Sequence, residues 1–253
     1  MERIIFVTGT DTGVGKTVLT ALLVAFLREK GVRALGMKPF CSGSRNDARV
    51  LQACQEGCLT LDDVNPFYFD KPLAPGAAGR PVPLSAAVAK IRHLARQCDV
   101  LVVEGVGGLL VPLGRNYAVR DLIGRLKCQT IVVGANRLGT INHTLLTVES
   151  LQSVDGKCLA IVMMGVKKPD LSAASNTRII RKMLPQATIL SIPFLGFSLG
   201  NTSERKNSVI FLKKTLALLA GSANLVTFFS KTREVDRQNR LTTCLDRIIL
   251  IEE

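Results

Sequence analysis

The chain has 253 residues, of which 47% are apolar and 21% charged, with a formal charge of +13 and no tryptophan. That length holds one well-buried core or at most two small domains, and the composition excludes disordered and fibrous classes. Basic residues are scattered in nothing longer than pairs such as Lys167-Lys168, Arg205-Lys206 and Lys213-Lys214, and aromatics are scarce, which predicts a diffuse basic surface rather than a nucleic-acid stripe.

Apolar, β-rich runs at 3–8, 33–38, 99–104, 129–134, 158–164 and 187–192 alternate with helical patterns at 16–30, 46–56, 84–97, 118–127, 141–153, 171–183 and 207–219. "VLVVEG", "TIVVGA" and "LAIVMM" are nearly continuous apolar runs, as strands covered on both faces require. The series predicts an α/β fold with a mostly parallel sheet and right-handed crossovers. "DKPLAPGAAGRPVPL" (70–84) reads as an ordered surface loop inside a single domain, and 198–207 as a further loop.

The first apolar run goes straight into a glycine turn, so no signal peptide is expected. The uncharged stretch from Thr215 to Phe229 is 15 residues long. That is short of the roughly 20 needed to span a bilayer, and it reads as a buried helix. The seven cysteines form no repeated C-x-x-C, and Cys54 and Cys58, four apart on an expected helix, lack the partners of a zinc site. Reduced thiols in the cytoplasm are expected.

The turn itself is "TGTDTGVGKT" (8–17), between a strand and a helix. Successive backbone N–H groups in such a turn point at one spot, and glycines let phosphate come close. Lys16 is placed to reach β- and γ-phosphates, and the Thr17 hydroxyl to hold Mg²⁺. The usual first glycine of this P-loop motif falls at Thr10, with Gly9 one step earlier. Partitioning and division ATPases carry a second lysine five positions before the first, where this chain has Asp11. Glu104 closes a buried strand, where a carboxylate faces the ligand crevice. Lys38, with Ser42 in the following turn, stands at the end of another strand, and both lysines are expected in a solvent-facing crevice.

"FVTGTDTGVGKT" (6–17), "GMKPFCSG" (36–43), "VNPFYF" (64–69), "LVVEGVGGLLVPL" (101–113) and "VVGANRLGTINHTLLT" (132–147) occur in that order. In this combination the chain resembles the dethiobiotin synthetases, P-loop enzymes of biotin synthesis, across about residues 1–195. The resemblance implies a cytoplasmic homodimer that condenses 7,8-diaminononanoate, CO₂ and ATP into a cyclic urea, with Mg²⁺ as cofactor and neither nucleic acid nor membrane as partner. Lys16, Lys38 and Thr12 would be catalytic. Asp11, Gly13, Val14, Gly15, Lys16, Thr17, Val18, Glu104, Gly107 and Pro193 would contact nucleotide. Thr12, Lys38, Ser42, Gly107 and Gly108 would contact substrate, and Thr17, Asp47 and Glu104 would hold the metal.

Gly139-Thr140 opens a helix whose free N–H groups form an anion site. In the family this site belongs to the neighbouring subunit and takes the substrate carboxylate, here at Thr140, Ile141 and Asn142. Many relatives read adenine with an asparagine where this chain has Gly165. Two other classes share the fold: partitioning ATPases, which Asp11 opposes, and cobyrinate-type synthetases, whose glutaminase domain has no room after residue 195.

Overall fold

Strands that read as unbroken apolar runs need cover on both faces, and the computed structural model provides it. The model describes residues 3–79, 81–195, 212–221, 240–244 and 247. In chain order the elements are β1 (Ile4–Gly9), α1 (Lys16–Glu29), β2 (Ala34–Met37), β3 (Phe40–Ser42), α2 (Asn46–Cys54), α3 (Leu61–Val64), β4 (Phe67–Phe69), α4 (Leu84–Ala95), β5 (Val100–Gly108), α5 (Val119–Leu126), β6 (Gln129–Ala135), α6 (Thr140–Gln152), β7 (Lys157–Met164), α7 (Ala173–Met183) and β8 (Ile189–Ile192). Residues 212–221 are helical as well.

Six strands form one sheet in the order β2-β5-β1-β6-β7-β8, parallel throughout. The strand order reverses at β1, so the ligand crevice of an open α/β sheet falls at its carboxyl end. That is where the glycine turn lies. Successive strand residues serve opposite layers: Ile5 and Val7 join the cluster under α1 and α2, while Ile4 and Phe6 join the one that holds Ile91 of α4, Ile123 of α5, Leu151 of α6 and Ile180 of α7.

The six expected strands and the first six expected helices are all present. Of the expected 207–219 helix, 212–219 is helical and 207–211 lies outside the described residues, as does the 198–207 loop. Two three-residue strands, β3 and β4, were not expected; they pair in parallel beside the main sheet.

Helix α1 is buried all round from Leu19 to Leu27, which one sheet face cannot achieve. Its outer side lies under Leu212, Leu216, Leu219, Leu241 and Cys244. At roughly 1.5–3 kcal/mol for each fully buried leucine, that cover stabilises the fold by several kcal/mol. Polar contacts fix it: Lys213 Nζ is 2.7 Å from Glu29, and Arg240 is 3.2 Å from Glu56. The uncharged 215–229 stretch is thus helical over 215–221 but buried on one face only: Thr215, Leu216, Leu219 and Ala220 are covered while Leu218 is 61% exposed, and 222–229 lies outside the described residues.

The same packing corrects the cysteine reading. Helix α2 stops at Cys54 because Glu56 and Gly57 both take positive φ, so Cys58 is not on it. Cys54 meets Cys244 across the C-terminal segment and the two form a disulfide, with Cα atoms 4.9 Å apart. Burial pushes the thiols of Cys41, Cys98 and Cys128 up to about 12 and that of Cys158 to about 11; Cys58 is exposed. A thiol reagent at pH 8 is therefore expected to label Cys58 first in the native protein. Once denaturant is added without reductant, five thiols should react, the number of free cysteines. A count of seven would show that the Cys54–Cys244 link does not form.

Candidate active site

The glycine turn is shaped by close approaches. A Cβ at Gly9 would lie 2.8 Å from Val14 Cγ2 and 2.9 Å from the Asp11 carbonyl. Gly13 and Gly15 take φ of 70° and 93°, values that side chains other than glycine's resist. Gly15 caps α1 without a side-chain hydrogen bond, and the first turn has no acidic residue. The N–H groups at the helix start are thus left for an external anion. The buried Lys16 ammonium donates to the Asp11 carbonyl at 2.7 Å.

A cavity of about 510 Å³ opens above this turn, lined by Thr12, Gly13, Gly15, Lys16, Thr17, Val18, Lys38, Ser42, Asp47, Glu104 and Gly107 among others. Lys38 Nζ sits 2.5 Å from Glu104 Oε1 and 2.9 Å from Asp47 Oδ2. Thr17 Oγ1 donates to the same Glu104 oxygen at 2.7 Å. The three residues expected to hold metal are thereby gathered around one point. The lysines depart from expectation: at 3% and 6% exposed, Lys38 and Lys16 are buried in the wall rather than open to solvent. Lys38 is closed in by Glu104 of β5 and Asp47 of α2, and Lys16 folds back onto the turn's Asp11 carbonyl.

Burial lowers the Lys38 pKa, but the Glu104 and Asp47 carboxylates outweigh it and hold that pKa above the ordinary lysine value. Asp47, against burial, is held below its ordinary value by the Lys38 ammonium. For Lys16 the balance is reversed: burial, then the neighbouring Lys38 charge, outweigh the Glu104, Asp47 and Asp11 carboxylates and pull it down to about 8 from 10.5. Because the unfolded state keeps that proton up to 10.5, stability gains from Lys16 as pH rises between about 8 and 10.5. Phosphate capture runs the other way. Binding of a phosphate at the turn is expected to weaken above pH about 8 as Lys16 loses its proton. A pH profile flat to 10 would contradict this.

Metal fits the donor set. Glu104 Oε2 is buried without a partner, and two carboxylates with a hydroxyl are the hard oxygen ligands that Mg²⁺ takes while keeping several waters. Ser42 Oγ is likewise buried and unpartnered. Of the remaining expected residues, Asp11 supplies the carbonyl that holds Lys16, and Val14 is buried under the turn. Gly108 is registered against Gly9 at the turn's base. Pro193 follows β8, with its carbonyl carbon 2.8 Å from where a Gly165 Cβ would be. Thr140, Ile141 and Asn142 open α6 and do not line this cavity.

Reading the sequence gave no role to three residues that position the others. Asn65, buried, donates from Nδ2 to the Lys38 carbonyl at 2.8 Å and accepts from Arg45 Nε at 3.0 Å. Arg45 also donates to the Leu61 and Asn65 carbonyls and to Asp62. Asp47 is two residues beyond Arg45, so this clamp ties the start of α2 to the end of β2. Gln55, fully buried, donates to the Gly36 carbonyl and accepts its N–H. Asn65 stands within the quoted "VNPFYF", but no local pattern marks an asparagine as a clamp.

A parallel sheet, a glycine turn opening α1, and paired lysines and carboxylates above it define a P-loop nucleotide-binding protein. Comparisons with known proteins agree. The AAA domain family model matches residues 3–198. The cell-division protein of the Aquifex aeolicus MinC:MinD complex superposes with a TM-score of 0.56 at 16% identity, over 92% of this chain and 98% of that one. That likeness shows the fold alone. The ATP-dependent dethiobiotin synthetase of Bacillus velezensis is 36% identical over 78% of this chain and 86% of its own length. That of Anaeromyxobacter dehalogenans is 46% identical over 59% and 71%. The chain belongs to the dethiobiotin synthetase family.

Proposed function

We propose that the chain closes the ureido ring of dethiobiotin, joining CO₂ to 7,8-diaminononanoate with ATP and releasing ADP and phosphate. The observation that carries this is the gathering of Lys16, Lys38, Thr17, Asp47 and Glu104 around one cavity above the P-loop, in a chain akin to ligases of that name. A carbamate formed on one substrate amine attacks the γ-phosphate, and the second amine closes the ring with loss of phosphate. Both steps concentrate negative charge, so positioning and electrostatic stabilisation dominate.

The N–H groups at the α1 start and Lys16 hold the phosphates. Thr12, Lys38 and Ser42 line the same cavity and would orient the carbamate and amine. Thr17, Asp47 and Glu104 would hold Mg²⁺, which supplies charge neutralisation between the phosphates. ADP release that depends on added diaminononanoate tests the reading. ATP hydrolysis indifferent to the diamine would instead favour a regulatory or partitioning ATPase, which Asp11 already opposes.

The active unit we infer is a symmetric dimer acting in the cytoplasm. Helix α6 begins like α1: Gly139 at φ 89° caps it with no side-chain bond and no acid in the first turn. Leu138 just before that start and Leu146 nearly two turns into the helix are exposed large apolar residues, which suits burial against a second copy. No helix among the described residues is long and apolar enough to cross a membrane.

Gly165 bears on nucleotide choice. A Cβ there would lie 2.3 Å from the Phe194 backbone nitrogen and 2.8 Å from the Pro193 carbonyl carbon. The 193–194 backbone thus fills the space an asparagine side chain would need. With no amide to read adenine at this position, GTP or CTP should support a measurable fraction of the ATP rate. Inert GTP and CTP at saturating levels would show that another group reads the base.

A further inference from the structure

The arrangement around Lys38 carries a consequence for how metal and lysine share the cavity. Its ammonium has three donors and three oxygen acceptors: Glu104 Oε1 at 2.5 Å, Asp47 Oδ2 at 2.9 Å and the Gly105 carbonyl at 3.0 Å. It is fully hydrogen-bonded and buried. Two of those acceptors are carboxylate oxygens of residues that would bind Mg²⁺, and the third metal residue, Thr17, donates to the same Glu104 oxygen.

Mg²⁺ needs oxygens at roughly 2.0–2.1 Å in near-octahedral array. An ammonium hydrogen-bonded to the same two carboxylates stands within a few ångströms of that point, and two cations so close repel strongly when buried. The cavity has somewhere for the lysine to go. Ser42 Oγ, buried and unpartnered, lines the same space and is a free acceptor.

We propose that Lys38 is the resident cation of the metal site: it neutralises Glu104 and Asp47 until metal arrives with nucleotide, and is then released into the acceptor side of the cavity. This rests on the functional reading above. It makes Lys38 a residue that is delivered to the substrate only when the metal–nucleotide complex is in place. Free Mg²⁺ alone should compete poorly for carboxylates that are already paired.

The test uses Mn²⁺ as probe, titrated at one fixed pH into the full-length protein and followed by the electron paramagnetic resonance signal of the free ion. Wild type, Lys38→Met and Lys38→Gln are compared with and without ADP. Without nucleotide, both variants should bind Mn²⁺ about tenfold more tightly or better than wild type, since a buried like charge has been removed. Equal or weaker binding by both variants, with wild type binding Mn²⁺ when ADP is present, would overturn the exchange and leave the functional reading standing. No Mn²⁺ site in wild type even with ADP would overturn both.

A second measurement avoids substitution in the protein observed. In wild type with ¹⁵N-labelled lysine, the buried Lys38 ammonium should give a protected resonance that Lys38→Gln lacks. Adding ADP with Mg²⁺ should shift or abolish it, while ADP with a chelator should not. A resonance unchanged by Mg²⁺ and ADP would overturn the proposal.

Discussion

Replacing Lys38 with alanine should lower turnover by about a hundredfold or more, the scale for losing one preorganised electrostatic group, and should also lower the melting temperature. The second effect arises because Lys38 is the partner of Glu104, a carboxylate only 1% exposed. Breaking a buried pair by removing one member costs about 3–5 kcal/mol. Lys16→Ala should lose turnover on the same scale with little change in melting. Its ammonium bonds only the Asp11 carbonyl among the described contacts, and burial already works against its charge. Steady-state rates with thermal denaturation separate the two. A folded Lys38→Ala enzyme with near-normal turnover would remove Lys38 from the chemistry.

Mixing two inactive variants should restore activity if the proposed dimer shares its sites. One carries Lys16→Ala, which empties the P-loop of its cation. The other blocks the start of α6, and the structure decides where. Thr140 is unsuitable, being 3% exposed, with its Oγ1 3.3 Å from a Cβ built on Gly134; tryptophan there would break the fold. Asn142 is exposed, and Asn142→Trp projects bulk outward. A heterodimer of the two holds one site with both defects and one with neither, so about half of wild-type activity per heterodimer is expected from two-fold symmetry. Heterodimers shown by mass spectrometry yet without activity would place the whole site within one chain.

The sheet was legible because its strands are buried on both faces, so "VLVVEG" and "TIVVGA" announce themselves without any tertiary knowledge. The P-loop was legible for a different reason: close phosphate approach demands glycines at fixed places, as the positive φ at Gly13 and Gly15 bears out. The three-residue strands β3 and β4 left no such trace, since their pairing joins segments 27 positions apart, Phe40 with Phe67. The Arg45–Asn65 clamp is non-local in the same way. So is the Cys54–Cys244 pair, 190 residues apart. Burial of Lys38 was missed because a strand-end lysine reads as exposed until Asp47 of α2 is brought against it, and that of Lys16 because nothing local shows a helix-start lysine folding back onto the Asp11 carbonyl.

The Gln55 side chain has an effect beyond local geometry. Strand β2 ends the sheet's order and is paired only with β5, so its outer rim would offer ungrouped amides to any passing strand. The Gln55 carboxamide, itself shaped like a peptide group, occupies both polar groups of Gly36, and Arg28 covers the Ala34 carbonyl. The rim is thereby sealed from within its own chain. A protein protected in this way cannot lengthen its sheet through that border, so two copies must meet on helices rather than strands there. Crowded molecules, or those emerging half-assembled during synthesis, gain a safeguard against stacking into fibres by that route.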